Sequence, residues 1–250
     1  MSEHRGNTAP SPVALVTGGG GGLGSVIARE LDREGARVVV AGRRLAALES
    51  TAADLRDATT LQLDVADQEG WRAGVDEIER SVGPVGVLVT SAGIIERASF
   101  VESDPLDWER MWRTNVHGSM LGVHTVLPGM LRRGEGRIVL VSSITAAVGC
   151  TGRSAYGATK GALEAFCRGV AAEIAGSGVT INCLAPGAFM TPLNEDHFIS
   201  GSPALAETLQ RIPEARFGTS EDIGSAVTYL VRNGYSQGTV LRVDGGWSST

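Results

Sequence analysis

Seven short runs of apolar, mostly β-branched residues alternate along this chain with six longer stretches of helical periodicity, and that alternation leaves few folds open. The runs are Val13–Thr17, Arg37–Ala41, Thr59–Asp64, Val85–Thr90, Gly136–Ser142, Val179–Leu184 and Thr239–Val243. Val38-Val39-Val40 and Val87-Leu88-Val89 lack any polar alternation, as strands covered on both faces do. The first intervening stretch sets Leu23, Val26, Ile27 and Leu31 on one apolar stripe. The others span roughly Leu45–Leu55, Gln68–Ser81, Pro105–Leu131, Ser154–Ala175 and Glu221–Val231. Strand and helix in strict turn predict an α/β fold, a doubly wound parallel seven-stranded sheet with helices on both faces. With no linker or repeat in sight, residues 12–250 are expected to form one domain behind a flexible arm at 1–11. Only Pro186–Ser220 runs long between elements, and such a stretch is expected to act as a lid over a site.

Composition removes several function classes. A formal net charge of −6 argues against a nucleic-acid or anionic-membrane surface. No apolar run reaches the ~18 residues that suggest a membrane span. The polar start through Pro12 lacks the apolar centre of a signal peptide, so a cytoplasmic protein is expected. Cys150, Cys167 and Cys183 show no metal or redox spacing, and Cys167 and Cys183 read as buried small hydrophobes. His4, His117, His124 and His197 are scattered, so no metal is expected. Among 22 basic residues there is a single lysine, Lys160. On a solvated surface arginine serves as well; at a site needing a compact ammonium it does not.

Three clusters carry chemistry. The first strand runs directly into Thr17-Gly18-Gly19-Gly20-Gly21-Gly22-Leu23-Gly24. Framed by a buried strand and an amphipathic helix, such glycines let backbone N–H groups close around a pyrophosphate at the helix N-terminus. The run satisfies G-x-G-x-x-G from Gly19 and T-G-x-x-x-G-x-G from Thr17, so by itself it does not choose between nucleotide folds. After the second strand, where a free ribose 2′-hydroxyl would call for an acid, the chain reads Ala41-Gly42-Arg43-Arg44. Two guanidiniums suit a 2′-phosphate instead, weighed against solvated arginines at a helix start. The third cluster is Ser142-Ser143 followed by Tyr156 and Lys160, the latter two on one face of a helix. There a neighbouring ammonium is expected to favour the phenolate and bring the tyrosine into use as a general acid/base.

On these motifs the chain resembles the short-chain dehydrogenase/reductases from about Pro12 to Trp247. The likeness rests on Thr17–Gly24, Asp64-Val65, Ala92-Gly93, Asn115, Ser143, Tyr156, Lys160, Pro186-Gly187, Thr191 and Val243-Asp244-Gly245-Gly246. It implies a Rossmann-type sheet, Tyr156 as proton donor or acceptor and Ser143 as the group orienting the substrate oxygen. Lys160 would hold the nicotinamide ribose and tune Tyr156, and Asn115 would help a proton relay through water. For the cofactor it implies contacts from Gly18, Gly20, Gly21, Gly22, Leu23, Gly24, Arg43, Arg44, Asp64, Val65, Ser91, Ala92, Gly93, Pro186, Gly187 and Thr191, with NADP expected and NAD the alternative. The family's Asn-Asn-Ala-Gly reads Thr90-Ser91-Ala92-Gly93 here, so side-chain contacts of the two asparagines are missing. A homotetramer is the family habit, and Gly224, Ser225 and Ala226 would let helices approach closely.

The partner expected is a small molecule. Gly93–Arg97, Thr191–Asn194 and Arg211–Gly218 look like segments of gluconate and keto-deoxygluconate dehydrogenases of this family, which implies a sugar acid or polyol. Asn194, Glu195, Asp196 and His197 would offer hydroxyl partners. Arg97, Arg153 and His197 suit a carboxylate, although a surface role weighs more for each. The competing expectations are a 3-oxoacyl-thioester reductase and a non-catalytic cofactor-sensing protein.

Overall fold

In the computed structural model, residues 12–191 and 203–249 are described. The arm at 1–11, and with it His197 and its neighbours, lies outside the described residues. Seven parallel strands make one sheet in the order β3-β2-β1-β4-β5-β6-β7. They are β1 (Val13–Thr17), β2 (Arg37–Gly42), β3 (Ala58–Gln62), β4 (Val85–Thr90), β5 (Gly136–Val141), β6 (Val179–Pro186) and β7 (Val240–Val243). The helices are α1 (Gly22–Arg33), α2 (Leu45–Ala52), α3 (Gln68–Ser81), α4 (Pro105–Met111), α5 (Gly118–Arg133), α6 (Ser154–Glu173), α7 (Pro203–Gln210) and α8 (Ser220–Arg232).

The unbroken apolar runs are explained by packing on two sides. In β1, Val13 and Leu15 join a core with Trp71, Val126, Met130 and Cys167, under α3, α5 and α6. Ala14 and Val16 join the opposite core with Ile27, Leu31, Leu48, Ile223 and Val227, under α1, α2 and α8. The expected stripe on α1 holds: Ile27 and Leu31 are buried, and Leu23 and Val26 pack partly buried against the same core. Cys167 and Cys183 are fully buried, as small hydrophobes should be, and all three cysteines are free.

Several boundaries differ from expectation. β3 covers Ala58–Gln62 rather than Thr59–Asp64: the Leu63 N–H still donates to the Gly42 carbonyl at 2.8 Å, but Asp64 already opens the turn into α3, its carbonyl accepting from the Asp67 N–H at 2.9 Å. β6 continues through Pro186, paired with β7 to its end, since a proline at the last rung needs no further N–H donor. The single helix expected over Pro105–Leu131 is α4, a π-helical turn at Trp112–His117, and α5. The wide turn rotates Asn115 into the interior, where it is fully buried. Within Pro186–Ser220, the expected lid, lies α7; residues 192–202 are outside the described residues. Its two ends are stitched together where Phe189 bridges Gly218 and the Gly218 N–H donates to the Ala188 carbonyl at 2.9 Å.

Because β1 lies between β2 and β4, the chain's winding reverses there, and the carboxyl ends of the strands splay around a crevice. Trp71 helps shape that edge: its indole N–H donates to the Val65 carbonyl at 2.9 Å, anchoring the Asp64-Val65 loop.

Candidate active site

A cleft of about 510 Å³ runs along this edge. At one end the glycine turn divides its labour. Gly18 has φ +69°, and a Cβ there would press on the Ala92 backbone at 2.9 Å, while one on Gly24 would strike the Gly18 carbonyl. Gly21, by contrast, faces open space. The two strand ends are held together by the Ala92 N–H, which donates to Thr17 Oγ1 at 3.2 Å. No side chain caps α1 and no acidic residue stands in its first turn, so its leading N–H groups and positive dipole end are available to an anion in the cleft. The same end is lined by Arg43, Arg44 and Asp64. These features fit a dinucleotide: a cradle too tight for side chains, a positive helix end and two guanidiniums where a ribose would lie.

At the other end stand Ser143, Tyr156 and Lys160, from the exit of β5 and the first two turns of α6. Ser143 Oγ accepts from the Thr145 N–H at 3.2 Å, which fixes its side chain at the sheet edge. Lys160 is buried; its ammonium donates to the Val141 carbonyl at 2.8 Å and lies 5.6 Å from the centre of the Tyr156 ring. Burial lowers Lys160 to about 8, with the neighbouring Cys183 opposing. Burial pushes Tyr156 up to about 12, against the pull of Arg153, of the Ser143 hydrogen bond and of Arg97. At neutral pH burial thus favours the protonated phenol, the form that can donate a proton.

Every residue expected at the cofactor lines this cleft, including Ser91, Ala92 and Gly93, Pro186, Gly187 and Thr191. Asn115 does not line it; it stands behind the wall. Its Oδ1 accepts from the Ile94 N–H at 2.8 Å, and its Nδ2 donates to the Ile94 carbonyl at 2.9 Å and to Thr159 Oγ1 at 3.1 Å. Both amide protons are thus committed, and the side chain acts as a brace for the 93–95 segment.

Thr159 and Glu164 escaped the sequence reading, and Ser142, Arg97 and Arg153 take clearer places than it gave them. Thr159 Oγ1 donates to the Tyr156 carbonyl at 2.7 Å, and so couples Asn115 to the tyrosine's turn. Ser142 Oγ lies 3.2 Å from the Lys160 carbonyl and 2.9 Å from Glu164 Oε1, a buried clamp between β5 and α6. Arg97 and Arg153, weighed as surface residues, both line the cleft. The i, i+3 spacing of Tyr156 and Thr159 could have revealed the first; nothing local announced the others. Among the described residues no cluster could hold a metal ion, and no helix is long and apolar enough to cross a membrane.

Comparison with known proteins decides the family, because the model of the short chain dehydrogenases matches residues 12–199. The chain belongs to the short-chain dehydrogenase family. It is 36% identical over 239 residues to gluconate 5-dehydrogenase of Gluconobacter oxydans, with 93% of each chain covered. It is 35% identical over 241 residues to a bovine (Bos taurus) 3-oxoacyl-[acyl-carrier-protein] reductase, covering 95% of this chain and 98% of that one. A solved gluconate 5-dehydrogenase from Burkholderia cenocepacia, in complex with NADP and tartrate, superposes with a TM-score of 0.90 at 32% identity over 97% of both chains.

Proposed function

We propose that this short-chain dehydrogenase is an NADP(H)-preferring oxidoreductase that interconverts a secondary alcohol and a ketone on a sugar acid or polyol. The observation that carries this reading is a single cleft with the glycine cradle and Arg43-Arg44 at one end and Ser143, Tyr156 and Lys160 at the other. The NADP bound by the Burkholderia relative supports the cofactor, and the gluconate dehydrogenases support the substrate class.

Gly18–Gly24 would hold the diphosphate, Arg43 and Arg44 the 2′-phosphate, Asp64 and Val65 the adenine, and Pro186, Gly187 and Thr191 the nicotinamide end. When bound, the nicotinamide supplies or accepts the hydride. The chain's own residues handle the oxygen. Ser143 orients the carbonyl by donating to it, and Tyr156 delivers the proton as negative charge develops on that oxygen. A phenol held at about 12 keeps its proton until an alkoxide forms beside it, then gives it up readily. Lys160 presents its ammonium next to the ring and, at about 8, carries it through most of the neutral range.

The test is a turnover panel of sugar acids, polyols, steroids and 3-oxoacyl thioesters, with either cofactor. Tyr156→Phe is expected to lower the rate by roughly 10²–10⁴ while cofactor affinity stays within a few-fold. A clear preference for the thioester would favour the bovine reductase as the better guide to substrate. Cofactor binding with no turnover of any compound would favour a sensor, against which the complete Ser143–Tyr156–Lys160 set weighs. We also read the protein as a homo-oligomer, a reading supported by the exposed Leu106, Trp112 and Met120 on α4, the π-turn and α5. Light scattering checks it.

A further inference from the structure

Glu164 is a carboxyl group inside the protein, 7% exposed, that no step of the chemistry above uses. Its neighbours on the same face of α6, Leu163, Cys167, Val170 and Ala171, are apolar and also buried, so a leucine at this position would continue the core. Burying a carboxyl is costly unless a partner meets it. The partner is Ser142, itself 3% exposed, whose hydroxyl lies 2.9 Å from Glu164 Oε1 and 3.2 Å from the Lys160 carbonyl. Ser142 is fixed from behind, because its N–H donates to the Leu184 carbonyl of β6 at 2.7 Å.

Glu164 stands one turn beyond Lys160, at the i, i+4 spacing that brings an acid and a base on one helix together. Both residues are buried, and where water is excluded the attraction between opposite charges is strong. Yet the two side chains go separate ways. The ammonium donates to the Val141 carbonyl at 2.8 Å, and the carboxyl is met by Ser142. The ammonium therefore stands where the cleft can use it. Lys160 lines the cleft, and a Cβ built on Gly93, which lines it too, would come 3.6 Å from Lys160 Nζ. Two consecutive residues at the exit of β5 thus divide the two polar groups of α6 between them, Val141 taking the ammonium and Ser142 the carboxyl.

We propose that Ser142 is a positioning residue for Lys160: by engaging the Glu164 carboxyl it keeps a buried Lys160–Glu164 pair from forming, and so leaves the ammonium at the nicotinamide-ribose end of the cleft. This deepens the oxidoreductase reading and rests on its assignment of Lys160 to that ribose. Removing the Ser142 hydroxyl strands the carboxyl, and a buried polar group without a partner costs more than the bond itself contributed. A partner offered by the helix spacing is the ammonium one turn away. Capturing it would draw Lys160 along the helix and off the cofactor site. Removing the carboxyl as well removes that pull.

The experiment measures binding to the full-length protein by calorimetry and needs no turnover. NADP⁺ is titrated beside adenosine 2′,5′-bisphosphate, the part of the cofactor that reaches only the Arg43–Arg44 end. Lys160→Met sets the loss expected when the ribose contact disappears, about 10- to 150-fold for NADP⁺, the range of a charge-assisted contact. Ser142→Ala should lose at least about tenfold in NADP⁺ affinity and keep the bisphosphate within a few-fold. A purely structural role would move both ligands or neither. The double variant Ser142→Ala, Glu164→Leu should bind NADP⁺ within a few-fold of wild type, because no stranded carboxyl remains to capture the ammonium. Ser142→Gly, scored in the same way, stands in if the alanine variant does not fold. Unchanged NADP⁺ affinity in Ser142→Ala, an equal loss for both ligands, or a loss that Glu164→Leu does not reverse each overturns the proposal. Undiminished NADP⁺ binding by Lys160→Met, or none by the wild type, would instead sink the oxidoreductase reading of Lys160, so the two failures are told apart.

Discussion

Replacing Lys160 with methionine should make the protein more stable while silencing it. Lys160 is 4% exposed and its ammonium has one carbonyl at hydrogen-bond distance, so the folded chain holds a charge largely out of water. Its ordinary value of 10.5 falls to about 8 through burial. At 1.36 kcal/mol for each factor of ten in acidity, that difference is about 3 kcal/mol against folding at pH 7. Methionine has a similar stem and no charge, but it gives up the bond to Val141, worth about 1 kcal/mol. The expected net is a gain of about 2 kcal/mol at pH 7. The sign with pH follows from proton counting. Between about 8 and 10.5 the unfolded lysine binds a proton that the folded one does not, so wild-type stability rises with pH in that window. The advantage of Lys160→Met should therefore dwindle between pH 8 and 9.5, before tyrosines begin to ionise in the unfolded chain. Urea unfolding of both proteins without cofactor at pH 7.0, 8.5 and 9.5 measures it, and the difference cancels titrations common to both. A variant less stable than wild type at pH 7, or a difference that ignores pH, would show that the lysine is solvated or better paired than the structure says.

Thr159→Val keeps shape and removes the hydroxyl that joins Asn115 to the Tyr156 turn; it should cost about 1–2 kcal/mol in urea unfolding and lower kcat more than it raises KM, with Thr159→Ser restoring both. Arg43→Ala should erase most of an NADPH-over-NADH preference of roughly 10–150-fold, read as dissociation constants by fluorescence, and leave NADH binding nearly unchanged. Gly24→Ala forces a methyl onto the Gly18 carbonyl, so the cradle must open; cofactor affinity should fall at least tenfold, whereas Gly21→Ala, facing open space, should fold as well as wild type in a thermal melt.

The sheet was legible because its signal is repeated and local. Each buried strand announces itself by two-sided hydrophobicity, and the order of elements follows from right-handed crossovers between parallel strands. The π-turn at Trp112–His117 left no such mark, because the sequence runs through it with unbroken helical periodicity; only the need to bury Asn115 against Ile94 and Thr159 distinguishes it. The strand shift at β3 has a similar origin. Leu61 and Leu63 both pack against one core, and the last β2–β3 contact, from the Leu63 N–H to the Gly42 carbonyl at 2.8 Å, is followed at once by the turn that begins at Asp64.

The site divides the same way. Glycine turn, tyrosine and lysine were readable because their chemistry depends on spacing along one element and tolerates few substitutes. Arg97 and Arg153 were named only as carboxylate partners outweighed by a surface role, since each alone looks like any solvated arginine, and the Ala98–Gly152 contact is what brings their loops together. The charges around Tyr156 divide in the same way. Sequence spacing puts Lys160 one helical turn past Tyr156 on the same face, so it is the obvious charge to invoke. In the folded chain its ammonium turns to the Val141 carbonyl, and its own burial works against it, whereas Arg153 acts on Tyr156 from the helix entrance. Burial sets how firmly the tyrosine holds its proton, and a long-range loop contact that brings Arg97 and Arg153 near it pulls the other way. Loops that position an arginine at this entrance can change the acid/base behaviour of the site without altering Ser143, Tyr156 or Lys160.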